Sequence, residues 1–183
     1  MRGLPDVTII NPADYNQAIQ AVLAMIDRKG LDYLRVTRAN FPVFLRPDAP
    51  FEVGKAQRLL EGSDITIIAT GSMVYESLMV AKRLMDEGIS VDFLNIHTIK
   101  PIDTKAIVES AEVTSKVVTI EEHNVIGGLG DAVASVLCEN HPTKLLKLGM
   151  QDTFGESGSH KELWKKYGLD RDSLYQRIQS FYS

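Results

Sequence analysis

Three consecutive residues, Glu121-Glu122-His123, carry the side chains best suited to acid–base chemistry in this sequence. Neighbouring carboxylates shift one another's pKa values, and an imidazole titrates near neutrality. The three follow an apolar run, Val117–Ile120, and precede Gly127, Gly128 and Gly130, which lead into a helical pattern. A strand that ends in polar residues and glycines before a helix is where an open α/β sheet gathers a ligand or a partner. Consecutive residues of an extended segment point to opposite faces, however, so Glu121 and Glu122 do not readily share one substrate. The residues therefore favour a polar contact at a subunit or domain interface over acid–base catalysis. Gly128-x-Gly130 also suggests a dinucleotide fingerprint. Val133 occupies the third glycine position, and Glu121 to Ile126 lie between strand and glycines where a fingerprint turn is tight. A close backbone approach is the simpler use of these glycines.

Arg35 and Arg38 form the second candidate, at the end of a strand predicted over Tyr33–Thr37 in which Arg35 alternates with buried Leu34 and Val36. A guanidinium there can hold a phosphate or carboxylate bidentately, and an ion pair with a helix acid is the competing use. His97, His123, His141 and His160 are scattered singly, without metal-ligand spacing. His97 reads as a loop residue at a strand end. The one cysteine, Cys138, excludes an intrachain disulfide and reads as a small apolar residue of a helix. A net charge of -4 excludes the basic footprint of a nucleic-acid binder. No apolar run reaches the length of a membrane span or a signal region, so a cytoplasmic protein is expected.

The elements that position these residues follow a strand–helix rhythm. Val7–Ile10 reads as a strand, and Asn11-Pro12-Ala13-Asp14 as a helix start capped by Asn11. That helix runs to about Arg28, with Ala18, Val22, Leu23 and Ile26 on one side. This βαβ piece is too small to stand alone, and upstream chain is expected to pair with it. Pro42, Pro47 and Pro50 mark a linker, with a short edge strand over Phe51–Val53 and an amphipathic turn through Leu59-Leu60. Apolar strands follow at Ile65–Ala69, Val91–Asn95, Val117–Ile120 and Lys144–Leu148, separated by helices starting at Gly71-Ser72, Asp103 and the glycine turn. Unbroken apolar strands of this kind imply a parallel sheet covered on both faces. Two short helices close the chain, capped by Ser159 with Glu162 and by Asp170, the last with Leu174, Ile178 and Phe181 inward. The fold class is α/β: a three-layer α/β/α domain with a mostly parallel sheet, preceded by a βαβ remnant of a second α/β domain.

Four stretches together resemble the C-terminal part of the transketolase family, in particular the separately encoded C-terminal subunit of split transketolases. They are Asn11-Pro12-Ala13-Asp14, Tyr33-Leu34-Arg35-x-x-Arg38-x-x-x-Pro42-Val43, Gly62-Ser63-Asp64 through Thr70-Gly71, and Phe154-Gly155-x-Ser157-Gly158 with Glu162-Leu163 and Tyr167-Gly168-Leu169. The Glu121-Glu122-His123 loop is shared more widely, with deoxyxylulose-phosphate synthases and the β subunits of 2-oxo-acid dehydrogenases. The resemblance implies that residues 1–46 are the end of a pyrimidine-binding domain and 47–183 a transketolase C-terminal domain. It implies an assembled, homodimeric enzyme of pentose phosphate metabolism that moves ketol groups between sugar phosphates, using thiamine diphosphate and Mg2+. The family's Gly-Asp-Gly motif is missing here, so no cofactor and no catalysis are expected of this chain alone. By the same resemblance, Arg38 contacts the substrate phosphate, and the partners are the diphosphate- and pyrimidine-binding regions. The alternative is a stand-alone small-ligand binding or regulatory module using the edge from Glu121 to Gly130.

Overall fold

A computed structural model describes residues 1–183. Its first strand, β1 (Val7–Ile10), pairs in parallel with β2 (Leu31–Leu34) across the helix α1 (Tyr15–Ile26). Asp14, not Asn11, caps α1. Its Oδ1 accepts the Gln17 N–H at 2.9 Å, and its Oδ2 accepts the N–H groups of Phe44 and Leu45 at 2.9 and 2.8 Å. One carboxylate thus starts the helix and pins the segment returning after β2. Strand β2 begins and ends earlier than Tyr33–Thr37 because it can match only the four residues of β1. Val36, beyond it, is exposed. The apolar side of α1 is also open: only Gln17 and Ala21 of the helix are buried, whereas Leu23 and Ile26 are 58% and 71% exposed. The narrow strip of sheet beneath α1 covers too little of the helix to shield the rest.

The expected edge strand at Phe51–Val53 does not form. The edge is β3 (Gln57–Leu60), extended where an amphipathic turn through Leu59-Leu60 is expected and antiparallel to its neighbour. The chain continues through β4 (Ile65–Ala69), α2 (Met73–Asp86), β5 (Val91–Asn95), β6 (Thr98–Lys100), α3 (Thr104–Thr114), β7 (Lys116–Asn124), α4 (Leu129–Asn140), β8 (Lys144–Met150), α5 (His160–Tyr167) and α6 (Arg171–Tyr182). The larger sheet has the order β3-β5-β4-β7-β8, parallel from β5 onward. Along β4, Ile65, Ile67 and Ala69 pack with Met73, Leu84, Leu174 and Ile178, while Ile68 packs with Ile107, Leu129 and Val133. Alternation therefore sends successive side chains to α2 and α6 on one face and to α3 and α4 on the other. This is the three-layer arrangement expected from the unbroken apolar strands. The caps at Asp103, Ser159 and Asp170 form as read. Cys138, by contrast, is exposed on α4. No helix is long and apolar enough to cross a membrane.

Strand β6 joins the two parts of the molecule. It leaves the larger sheet after β5 and pairs antiparallel with β1, giving the small sheet the order β2-β1-β6. His97 lies in the two-residue connection between β5 and β6, a loop residue at a strand end as read, but it is buried, at 1% exposure. Its ring stacks on Phe51 with centroids 4.2 Å apart, Nδ1 lies 2.9 Å from Thr98 Oγ1, and its carbonyl accepts the Asn11 N–H at 2.8 Å. Burial lowers its pKa from 6.5 to about 4. A second polar knot ties α1 to the larger sheet. Gln17 Oε1 accepts from Ala13 N–H and Asn95 Nδ2, and Gln17 Nε2 donates to Gln57 Oε1.

Candidate functional site

The connection from β4 through α2 places β5 on one side of β4, and the connection through α3 carries the chain back to β7 on the other. The strand order reverses between β4 and β7, which is where open α/β sheets bind ligands. Thr70-Gly71-Ser72 after β4 and Glu121-Glu122-His123 flank this point. The latter three are strand residues, because β7 runs on to Asn124 through an irregular register. Glu121 is 2% exposed. Its Oε2 accepts the Leu129 N–H and its Oε1 the Gly130 N–H, each at 2.8 Å. The carboxylate thus sits at the positive end of α4, in the position a phosphate would take. A Cβ at Gly128 would lie 2.0 Å from Glu121 Oε2, and one at Gly130 would meet Lys147 Cδ at 2.8 Å and Thr119 Oγ1 at 2.9 Å. The glycines serve this close approach, not a nucleotide. Burial pushes the Glu121 carboxyl upward, while the N–H groups of Gly130 and Leu129 and the nearby His123 pull it down.

Glu122 points away from Glu121, as the strand geometry requires. Its carboxylate accepts from Ser72 Oγ and its carbonyl accepts from Arg35 Nη2 at 2.7 Å. His123 is exposed, with Nδ1 2.8 Å from the Asn124 carbonyl and 3.9 Å from Glu121 Oε2. Gly127, at a left-handed φ of 75°, donates its N–H to Asp131 Oδ2 at 2.7 Å, and Asp131 is paired with Lys147. Three residues of the N-terminal unit close over this edge. Arg2 Nη1 donates to the Gly128 carbonyl at 2.8 Å, Arg35 reaches Glu122, and the Asn11 amide fills the space beside Gly71. The edge is a junction whose carboxylates hold structure.

Arg38 lies four residues beyond β2, exposed, and opens onto a separate cleft of about 320 Å3 shared with Thr37, Glu122 and the Gly158–His160 turn. The two arginines grouped by sequence therefore part company: Arg35 belongs to the junction and Arg38 to the cleft. Sequence reasoning missed that Glu122 and the Gly158–His160 turn face Arg38, and it missed Arg2 altogether. The Phe154–Gly158 stretch and the capping box that starts α5 were the available signals for the turn. Nothing in the sequence pattern marks Arg2.

In this three-layer domain the ligand edge is occupied by the domain's own carboxylate and by an appended strand–helix–strand unit. Residues 54–174 match the family described as "Transketolase, C-terminal domain", and the chain belongs to that family. It is 41% identical over 181 residues to a putative transketolase C-terminal section of Methanocaldococcus jannaschii, covering 97% of this chain and 56% of that one. It is 42% identical over 169 residues to a 6-deoxy-6-sulfo-D-fructose transketolase subunit of a Clostridium species, covering 92% of this chain and 52% of that one. A solved split-gene transketolase, described as an inactive β4 tetramer, superposes with a TM-score of 0.95 at 42% identity, over 100% of this chain and 60% of that one. The chain thus spans little more than half the length of these relatives. The resemblance read from the four sequence stretches holds, and the stand-alone binding module is not favoured.

Proposed function

We propose that the chain is the non-catalytic C-terminal portion of an enzyme that transfers ketol groups between sugar phosphates, completed by separate diphosphate- and pyrimidine-binding regions. The observation that carries this reading is the distribution of apolar surface. Nine of the fifteen exposed large hydrophobics, among them Ile19, Leu23, Ile26, Leu31 and Tyr33, lie within residues 15–43, so one unit of the molecule presents most of it. The outer edge of β2 is unpaired as well. A helix face and a strand edge left open on one side describe a domain cut short, which further strands would complete. The greater length of the relatives supports the same view, with 1–46 as the end of a pyrimidine-binding domain and 47–183 as the C-terminal domain. A homodimer in the cytoplasm belongs to the proposal, and only monomer in sedimentation at micromolar concentration would remove it.

Thiamine diphosphate does not fit the residues present. The glycine turn before α4, built like a phosphate cradle, already holds the Glu121 carboxylate, and a diphosphate there would meet an anion. The cofactor and its Mg2+ are accordingly assigned to the other regions of the assembled enzyme. Arg38 is the proposed substrate contact, exposed at the mouth of its cleft and suited to a tetrahedral oxyanion. The Clostridium relative is named for a sugar carrying a sulfonate, which an arginine fork can hold as it holds a phosphate. In the assembled enzyme, Arg38→Ala should weaken phosphorylated substrates by about 1.5–3 kcal/mol, and Arg38→Lys should recover part of that loss. Steady-state kinetics and melting temperature measured on both variants check this. An unchanged KM with a lowered melting temperature would make Arg38 a structural residue.

A further inference from the structure

The junction between the N-terminal unit and the larger sheet is not fully packed. A cavity of about 120 Å3 remains at the strand-order reversal, with Arg2, Asn11, Tyr33 and Arg35 on one side and Thr70 and His123 among those on the other. Thr70 is 2% exposed, and its Oγ1 has no hydrogen-bond partner. A buried hydroxyl left in that state is unfavourable unless something in the cavity satisfies it. The two guanidinium groups are equally under-used: each makes one hydrogen bond, Arg2 to the Gly128 carbonyl and Arg35 to the Glu122 carbonyl, out of five donors. Glu121 also lines the cavity, but both of its oxygens are engaged by the N–H groups of α4, and His123 Nδ1 lies 3.9 Å from it. Two arginines therefore face a cavity against one carboxylate that is already satisfied.

We propose that this cavity binds a small oxyanion, no larger than phosphate, that bridges the N-terminal unit and the C-terminal domain. Arginines from the first unit and the Thr70 hydroxyl from the second donate to it, so it acts as a clip across the junction that β6 begins. The site is distinct from the Arg38 cleft, which shares none of these donors, and the proposal does not rest on the assigned enzymatic role.

The probe is inorganic phosphate, titrated against the full chain at constant ionic strength with chloride as the balancing ion. A saturable rise in melting temperature of about 2 °C or more is expected. Phosphate also stabilises proteins generally by exclusion from their surfaces, and that effect is common to every variant. Arg35→Met and the near-isosteric Thr70→Val should abolish or halve the saturable part, whereas Arg38→Met should keep it. Thr70→Val leaves the Arg35 contact to Glu122 intact and so remains informative if Arg35→Met folds poorly. An absent rise, an equal rise in the wild type and in Thr70→Val, or a rise lost only in Arg38→Met would overturn the proposal.

Discussion

Glu121→Ala is expected to destabilise the chain by about 3–5 kcal/mol, the largest effect of any single substitution considered. The side chain is buried and accepts two N–H groups at the start of α4. Its removal leaves the Leu129 and Gly130 donors buried without an acceptor, at roughly 1–3 kcal/mol each, and opens a cavity beside Gly128. Glu121→Gln restores one acceptor but turns an amide donor toward the other N–H, so it should recover less than half of the loss. Asp131→Asn, in the partly exposed pair with Lys147, should cost under about 1 kcal/mol and serves as the comparison. Urea unfolding at unchanged m value reads all three. If Glu121→Ala cost no more than Asp131→Asn, Glu121 would not be the plug of the ligand edge.

The second large effect is a pH dependence set by His97. Burial against Phe51 lowers its pKa from 6.5 to about 4 in the folded chain. Between those values the unfolded chain takes up a proton that the folded chain excludes. Stability present above pH 6.5 is therefore lost as the pH falls toward 4, by about 3 kcal/mol. Burial raises the Glu121 and Asp92 carboxyls, which act with the opposite sign, favouring the folded state at low pH and losing that contribution as the pH rises through their folded values. Both remain in His97→Gln, so the difference between the two stability–pH curves isolates His97. The wild-type curve should fall more steeply between pH 6.5 and 4. Parallel curves over that interval would contradict the account.

The larger domain was legible because each of its signals is local. Apolar strands of four or five residues, helical spacing in between and capping residues at Asp103, Ser159 and Asp170 each specify an element without reference to the rest of the chain. The errors fall where a distant partner decides. Asn11 is a good cap by residue type, yet Asp14 wins because it also holds Phe44 and Leu45, thirty residues away. His97 is a loop residue as read, but its burial was not legible because nothing nearby shows that Thr98–Lys100 will cross over to pair with β1. The apolar stripe of α1 was visible, but whether chain covers it is not a property of the stripe. At the site, strand alternation correctly separated Glu121 from Glu122. That Glu121 would turn onto the helix following it depends on the length of the intervening loop and on the missing side chain at Gly128, which periodicity does not report.

Calorimetric titration of the chain with thiamine diphosphate and Mg2+ tests the central claim, that this is the supporting portion of an enzyme whose cofactor is held elsewhere. The chain's phosphate-cradle position is filled by Glu121, and its N-terminal unit ends at an open edge. No saturable heat is expected up to millimolar cofactor, because the proposed reading assigns the cofactor's contacts to regions outside this chain. Binding with micromolar affinity by this chain alone would contradict the claim.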